Sequence, residues 1–241
     1  MINMIKAEHL KYKRTFTKKL IFITPIFIFI WLFINGIYAY QNTINTWSIG
    51  LMSFLLAIIT SSSSRKEKLS GKYVTLKSKN INGKLMWFSK IIVLGYYSFI
   101  ISITLMVPFF AVKLFYPAIE ANMLTLFISV IAIWFTTLLL IPIYLFVSEK
   151  FRTFAAIALA CIGVILDVVV SVKDFWYLCP WAINTRIMCP IFNQHPNGVL
   201  LEPGDPLLNP VVIPIGIIVT IIWLVGLSIL TSIWFDKREV R

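Results

Sequence analysis

Acidic residues are scarce in this 241-residue chain, where ten Asp and Glu stand against 22 Lys and Arg and give a formal net charge of +12. There are only two histidines and three cysteines. An enzyme needs acids, bases, nucleophiles or metal ligands close together, and this composition offers few of them. No HExxH zinc helix, G-x-S-x-G elbow or clustered Cys/His spacing occurs in the sequence. We therefore expect no catalytic site, no cofactor and no metal site.

Charged residues of either sign are also few, at 13% of the chain, whereas 59% of its residues are hydrophobic. Soluble domains contain about 25% charged residues. A positive charge can indicate nucleic-acid binding, but the basic residues here flank apolar runs and leave no soluble domain to carry such a site. The composition predicts an integral membrane protein in contact with the lipid bilayer, with no nucleic-acid partner.

Six apolar runs approach the length of roughly 20 residues that a helix needs to cross a bilayer core. The first run is too long for the apolar part of a signal peptide, and no clear cleavage site follows it, so we interpret it as a membrane anchor. The predicted fold is all-α, with a single membrane domain over residues 1–241. Its predicted transmembrane helices cover about 20–40, 47–64, 91–112, 123–147, 154–172 and 211–235.

The basic residues predict the orientation of these helices. Nineteen of the 22 Lys and Arg residues lie in 1–19, 65–90, 148–153 and 236–241, and the remaining three are Lys113, Lys173 and Arg186. By the positive-inside rule, both termini and the loop 65–90 are cytoplasmic, and the segment 173–210 is extracellular. We expect a multi-pass protein of the cell membrane, specifically a bacterial plasma membrane.

The first 19 residues form a basic segment with an apolar pattern. Ile5, His9, Tyr12 and Phe16 follow an approximately helical spacing, which predicts an amphipathic helix on the inner membrane surface. A disordered basic tail is the alternative interpretation.

The basic loop 65–90 carries a short apolar stripe, because Leu69, Tyr73 and Leu76 fall at helical spacing. Gly71 weakens an isolated helix by roughly 1 kcal/mol, so such a helix needs a partner or the membrane surface. The pattern predicts a docking element for a cytoplasmic subunit at residues 65–76, followed by a turn at 77–83. A loop that is basic only for reasons of orientation is the alternative.

The segment 173–210 is unusually rich in aromatic and aliphatic residues for a loop. We predict that it folds back on the outer leaflet as interfacial or re-entrant helices, where it could meet a membrane-bound amphipathic ligand. A lid packed over the helix bundle is the alternative, and the two are not exclusive. Cys179 and Cys189 could form a disulfide only through a turn, because a helix between them would separate their Cα atoms by about 15 Å. Two unpaired thiols are the other possibility.

Asp167 is the one acid well inside a predicted span. Carboxyl groups within a membrane are costly and often functional, which would place Asp167 on a substrate path. It also lies within a turn or two of the outer end, where it could reach water or Lys173.

Short motifs at the start of the chain, in the basic loop and in the outer segment allow a more specific comparison. They are Ile5-Lys6-Ala7-Glu8-His9-Leu10-Lys11 with Arg14-Thr15-Phe16; Glu67, Gly71 and Leu76; and Cys179-Pro180-Trp181-Ala182, Arg186, Cys189-Pro190 and His195-Pro196-Asn197-Gly198. Together with six spans, these motifs resemble the permease subunits of lantibiotic-protection ABC transporters of the epidermin and mutacin type. These belong to the type-two (ABC-2) exporter permeases.

The resemblance implies a complex of a cytoplasmic ABC ATP-binding subunit and two related permease subunits that expels a lantibiotic peptide from the producer's membrane. The chain has no phosphate-binding G-x-x-x-x-G-K-[ST] loop, so a separate partner would hydrolyse ATP. A permease for another drug or a lipid, or a non-transporting immunity or sensor protein, are the alternatives. The candidate docking residues are Glu67, Leu69, Gly71, Lys72, Tyr73 and Leu76, and the candidate substrate residues are Asp167, Trp176, Trp181, Arg186, His195 and Asn197.

Overall fold

The computed structural model describes residues 1–13, 15–69, 82–117, 122–151 and 153–237. These ranges are almost wholly helical and contain no strand, apart from an isolated antiparallel bridge between Gln194 and Leu200. The α-helices are α1 (Ile2–Lys11), α2 (Phe16–Asn35), α3 (Ala39–Thr46), α4 (Met52–Leu69), α5 (Gly83–Thr104), α6 (Met106–Phe115), α7 (Met123–Thr137), α8 (Leu140–Lys150), α9 (Thr153–Val170), α10 (Ala182–Phe192) and α11 (Val212–Lys237). A π-helical turn, Trp47–Leu51, joins α3 to α4, and single 3₁₀ turns occur at Gly36–Tyr38, Trp176–Leu178 and Pro206–Leu208.

Four helical stretches among the described residues are long and apolar enough to cross a membrane. They are α2, α3 with α4, α5 with α6, and α11. The pair α7 and α8 is bent by 44° and makes a fifth stretch if the two are counted together, whereas α9 is shorter. The chain is thus a helical protein of the kind found in membranes, and the count of six spans stays a prediction.

The boundary between the first two predicted spans lies earlier in the chain than the sequence predicts. Helix α2 ends at Asn35, and Gly36 adopts a positive φ of 55° that favours glycine and stops the helix. The chain resumes a helix at Ala39, so the predicted outer turn at 41–46 is helical, and Asn42 donates a hydrogen bond to the Asn35 side chain at 3.0 Å. The second stretch is therefore much longer than the predicted 47–64.

The predicted loop 65–90 is helical at both ends. Helix α4 continues to Leu69, and α5 begins at Gly83, where the Asn82 side chain accepts a hydrogen bond from the Leu85 amide at 3.1 Å. The third predicted span, 91–112, thus begins eight residues earlier. The predicted docking residues Gly71, Lys72, Tyr73 and Leu76 lie outside the described residues.

Prolines account for two helix interruptions. Pro142 lies in the first turn of α8, directly after the break at residues 138–139. The ring of a proline clashes with the carbonyl four residues earlier in a helix, and this clash accounts for the break. Pro108 occupies the same position relative to the break at Leu105 between α5 and α6. The angle between α7 and α8 at this break is 44°.

Helix α4 lies at the centre of the packing, against α8 and α9, while α5 packs against α1 and α11. Met52, Leu56 and Ile59 on α4 are fully buried against this core. Its polar end is buried too, because Ser61, Ser63 and Ser64 are almost inaccessible. The bundle is thus held by polar as well as apolar contacts.

Helix α10 is the α-helical part of the predicted outer segment, and it is inserted among α7, α9 and α11. Every residue from Ala182 to Cys189 is buried. Two glycines make room for it: a Cβ on Gly216 would lie 2.3 Å from Ile187 Cδ1, and one on Gly163 would lie 2.3 Å from the Trp181 ring. The segment folds into the bundle, as a re-entrant helix would.

Candidate functional site

Four charged side chains from three helices form a buried group that we call the inner cluster: Glu8 and Lys11 of α1, Glu67 of α4 and Lys90 of α5. The Lys90 Nζ lies 3.0 Å from a Glu8 oxygen and 2.9 Å from a Glu67 oxygen. The Lys11 Nζ lies 2.8 Å from the second Glu8 oxygen and 2.5 Å from the same Glu67 oxygen. Each lysine therefore bridges both acids.

The inner cluster is balanced in charge and shielded from water. The Lys90 side chain is only 1% exposed, and both carboxylates are below 10%. A buried charge is tolerated when an opposite charge and hydrogen bonds compensate for its lost hydration, and removal of one partner leaves the other uncompensated. The group therefore fastens α1 to the ends of α4 and α5.

Tyr12 strengthens the attachment of α1 at its C-terminal end. Its hydroxyl donates a hydrogen bond to Ser63 at 2.8 Å, and its ring packs on Tyr97 with a centroid separation of 5.0 Å. Burial, with the nearby Glu8 charge, raises the pKa of the Tyr12 phenol well above its usual range. The phenol is therefore neutral at physiological pH and keeps the proton that it donates. His9, one turn earlier on α1, stacks against the same Tyr97 ring at 5.4 Å.

A second set of polar contacts joins α4 to α8 and continues to the start of α10. Ser64 and Ser148 are hydrogen-bonded at 2.7 Å, and Ser53 and Tyr144 at 2.5 Å. The Trp181 indole donates to the Tyr144 hydroxyl at 2.9 Å. These hydrogen bonds connect α4 through α8 to the start of the inserted helix.

The side chains of α10 form hydrogen bonds to three separate parts of the bundle. Asn184 donates to the Ser48 carbonyl at 2.6 Å and accepts from Thr136 at 3.0 Å. Thr185 donates to one Asp167 carboxyl oxygen at 2.6 Å. The other Asp167 oxygen is buried and has no hydrogen-bond partner among the described residues. Asp167 thus lies in a polar contact between α9 and α10, away from solvent.

The predicted substrate residues on the outer segment face inward or stabilise turns. Trp176 is buried beside α11, and Arg186 is buried and donates to the Leu207 carbonyl at 2.7 Å. Arg186 lies on α10, Trp181 directly precedes it, and Asp167 lies on α9 in contact with it. His195 and Asn197 lie in the turn that follows α10. In that turn the His195 Nδ1 accepts from the Asn197 amide at 3.1 Å, and the Asn197 side chain accepts from the Val199 amide at 3.0 Å. Contact of any of these residues with a peptide stays a prediction.

The possible disulfide between Cys179 and Cys189 is absent, because all three cysteines of the chain are described and all are free. Cys189 lies on α10 and donates through its sulfur to the Thr185 carbonyl at 3.4 Å, while Cys179 precedes the helix. Residues 182–189 are continuous helix with a rise of roughly 10 Å. This geometry favours the unpaired thiols.

The two described docking residues have opposite environments. Glu67 belongs to the inner cluster and is shielded, whereas Leu69, at the last residue of α4, is 78% exposed. Of these two residues, Leu69 is the one whose side chain is accessible. Glu67 holds α4, the helix that carries Leu69, against α1 and α5.

The residues that complete the inner cluster, Glu8, Lys11 and Lys90, were absent from the predicted site, as was Thr185 beside Asp167. A signal for the cluster exists in the sequence. Glu8 is the one acid in the first 19 residues, and Glu67 is the one acid in 62–90, within the two most basic segments. An isolated acid in a basic segment has many possible cationic partners. The sequence therefore indicates that an ion pair is formed there, but it does not identify the partner.

Comparison with family models, with curated proteins and with solved structures gave no match for this chain. The family resemblance therefore stays an interpretation of the sequence motifs.

Proposed function

We propose that this chain is a permease subunit of an ATP-driven ABC exporter that expels a lantibiotic or similar antimicrobial peptide from the membrane. The inner cluster is the observation that carries the proposal. It fastens α1 and α5 to the helix that leads into the predicted docking loop, so a force on that loop acts on three helices together.

The proposed topology has six spans and cytoplasmic termini. The bent pair α7 and α8 is the fourth span and the shorter α9 is the fifth, with α2, α3–α4, α5–α6 and α11 as the others. The excess of Lys and Arg on one side, 19 against three, supports this orientation. The inner cluster then lies at the cytoplasmic end of the bundle, and α10 enters from outside.

Energy enters this arrangement from a separate ATP-binding subunit at the loop after α4. Leu69 supplies an exposed apolar contact, and the two Glu67 ion pairs transfer displacement of α4 to α1 and α5. The Ser53–Tyr144–Trp181 chain extends the displacement to α10. A second permease subunit completes the membrane part of the complex.

In this proposal the peptide binds on the outer side, to the exposed apolar residues next to the buried Trp176. Phe175, Tyr177 and Leu178 are all more than 40% exposed in the segment that leads into α10. An amphipathic peptide at the membrane surface buries such residues favourably. Their position beside the inserted helix allows a change in α10 to release the bound peptide.

The proposal is tested by expressing the chain with its ATP-binding partner and a lantibiotic challenge. Leu69→Asp should abolish co-purification of the ATPase and remove protection, because it places a charge in the apolar contact. Leu114→Asp is the control, since Leu114 is 80% exposed on α6 at the other end of the bundle. Protection that survives inactivation of the ATPase would instead identify a non-transporting immunity protein. Export of a drug or lipid without peptide protection would identify a different cargo.

A further inference from the structure

Helices α1 and α5 leave an open groove of about 500 Å³ between them, next to the inner cluster. We infer that this groove binds an anionic phospholipid, with an acyl chain along the apolar wall and the phosphate at Lys6. The residues that line it are Ile5, Lys6, His9, Leu10, Ile92, Val93 and Tyr96.

The walls of the groove suit an acyl chain. Ile92 is 42% exposed and Leu10 is 66% exposed, although both lie on helices that bury their opposite faces in the bundle. The described residues do not cover this apolar surface, and a volume of this size is within the range of small-molecule sites. Burial of the alkyl side chains against hydrocarbon is therefore the main attraction for the tail.

The rim of the groove suits a phosphate. Lys6 is exposed and makes no ion pair among the described residues, whereas Glu8 on the other face of α1 is taken by Lys11 and Lys90. No acid lines the groove, so the Lys6 charge is not neutralised there. Tyr96 also lines the groove, is 50% exposed and supplies a hydroxyl donor.

The depth of the groove matches the boundary between headgroups and acyl chains. Ile92 follows the buried Lys90 by two residues and lies near the start of the apolar part of α5, and α1 packs against this helix. Basic pockets at the cytoplasmic end of transmembrane helices favour acidic headgroups. The assignment to the cytoplasmic leaflet rests on the orientation proposed above; lipid binding itself requires neither transport nor an ATPase.

The experiment is native mass spectrometry of the purified chain after incubation with vesicles of equal phosphatidylglycerol and phosphatidylcholine content. We expect phosphatidylglycerol to be enriched on the protein. Lys6→Gln should lower that enrichment about fivefold, as loss of one lysine near a lipid surface does. Lys173→Gln is the control, because Lys173 is equally basic and exposed but lies beyond α9.

A second variant tests the acyl site separately from the charge. Ile92→Trp places a larger side chain in the open groove and should reduce binding of both lipids while the thermal unfolding temperature stays near that of the parent. Equal lipid retention in the parent, Lys6→Gln and Ile92→Trp would overturn the proposal. Enrichment without a headgroup preference would also overturn it, and a cross-linked dimer through Leu10→Cys would assign the groove to a second copy of the chain.

Discussion

The buried acids of the inner cluster and the buried acid Asp167 have different surroundings. Glu8 and Glu67 in the inner cluster share two lysines, whereas Asp167 accepts one hydrogen bond from Thr185 and its second oxygen has no hydrogen-bond partner among the described residues. In a medium of low polarity, a carboxylate paired with cations depends on each of them, whereas a carboxyl group without a cation is favoured in its neutral form. The same chemical change should therefore have different effects at the two sites.

The largest expected effect comes from removing the central cation of the inner cluster. Lys90→Met leaves both carboxylates with only the partly exposed Lys11, and it should lower the free energy of unfolding by about 3–5 kcal/mol. Denaturant unfolding in detergent measures the loss. The double variant Lys90→Met with Glu8→Gln restores neutrality and should recover part of it, and a double variant less stable than Lys90→Met would contradict this account.

A smaller effect is expected from neutralising one acid of the cluster. Glu67→Gln keeps the side-chain shape but removes a charge that both Lys11 and Lys90 contact, which should cost about 2 kcal/mol. Under the proposed function it should also reduce protection even when the ATPase still co-purifies, because the loop remains intact but its connection to α1 and α5 is weakened. Unchanged stability and protection would remove Glu67 from the proposed transfer of motion.

The smallest effect is expected at Asp167, where the matched change tests the comparison directly. Asp167→Asn keeps an oxygen that can accept from Thr185, and it replaces the oxygen that has no partner. The free energy of unfolding should change by less than about 1 kcal/mol, in either direction. A loss as large as that of Glu67→Gln would indicate that Asp167 is compensated by a charge in the working complex, as a substrate path would require.

Hydropathy located most of the helices, but it located the ends of only some of them. Helices α9 and α11 begin and end within two residues of the predicted spans 154–172 and 211–235. The second predicted span ended at Ser64, yet α4 continues to Leu69 with Ser63 and Ser64 buried, because Tyr12 and Ser148 form hydrogen bonds with them. A hydropathy pattern records the polarity of a residue, but it does not show which neighbouring residue forms a hydrogen bond with it.

The candidate site was less accessible to sequence reasoning because its members are distant along the chain. Glu67 was identified as part of a docking element, but its partner Lys90 is 23 residues away and Lys11 is 56 residues away. Similarly, the aromatic outer segment was expected to fold back, while the depth of α10 depends on the space that Gly163 and Gly216 leave for it. Neither pairing follows a helical repeat, so each requires the three-dimensional arrangement.

The inner cluster also constrains how the protein is made. Glu8 leaves the ribosome 82 residues before Lys90, an interval of roughly 4–16 s at ordinary rates of synthesis. During that time α1 has Lys11 beside it but lacks the cation that later holds it against the bundle. Helix α1 is therefore synthesised well before the residue that completes its attachment, and it docks fully only after α5 has been made.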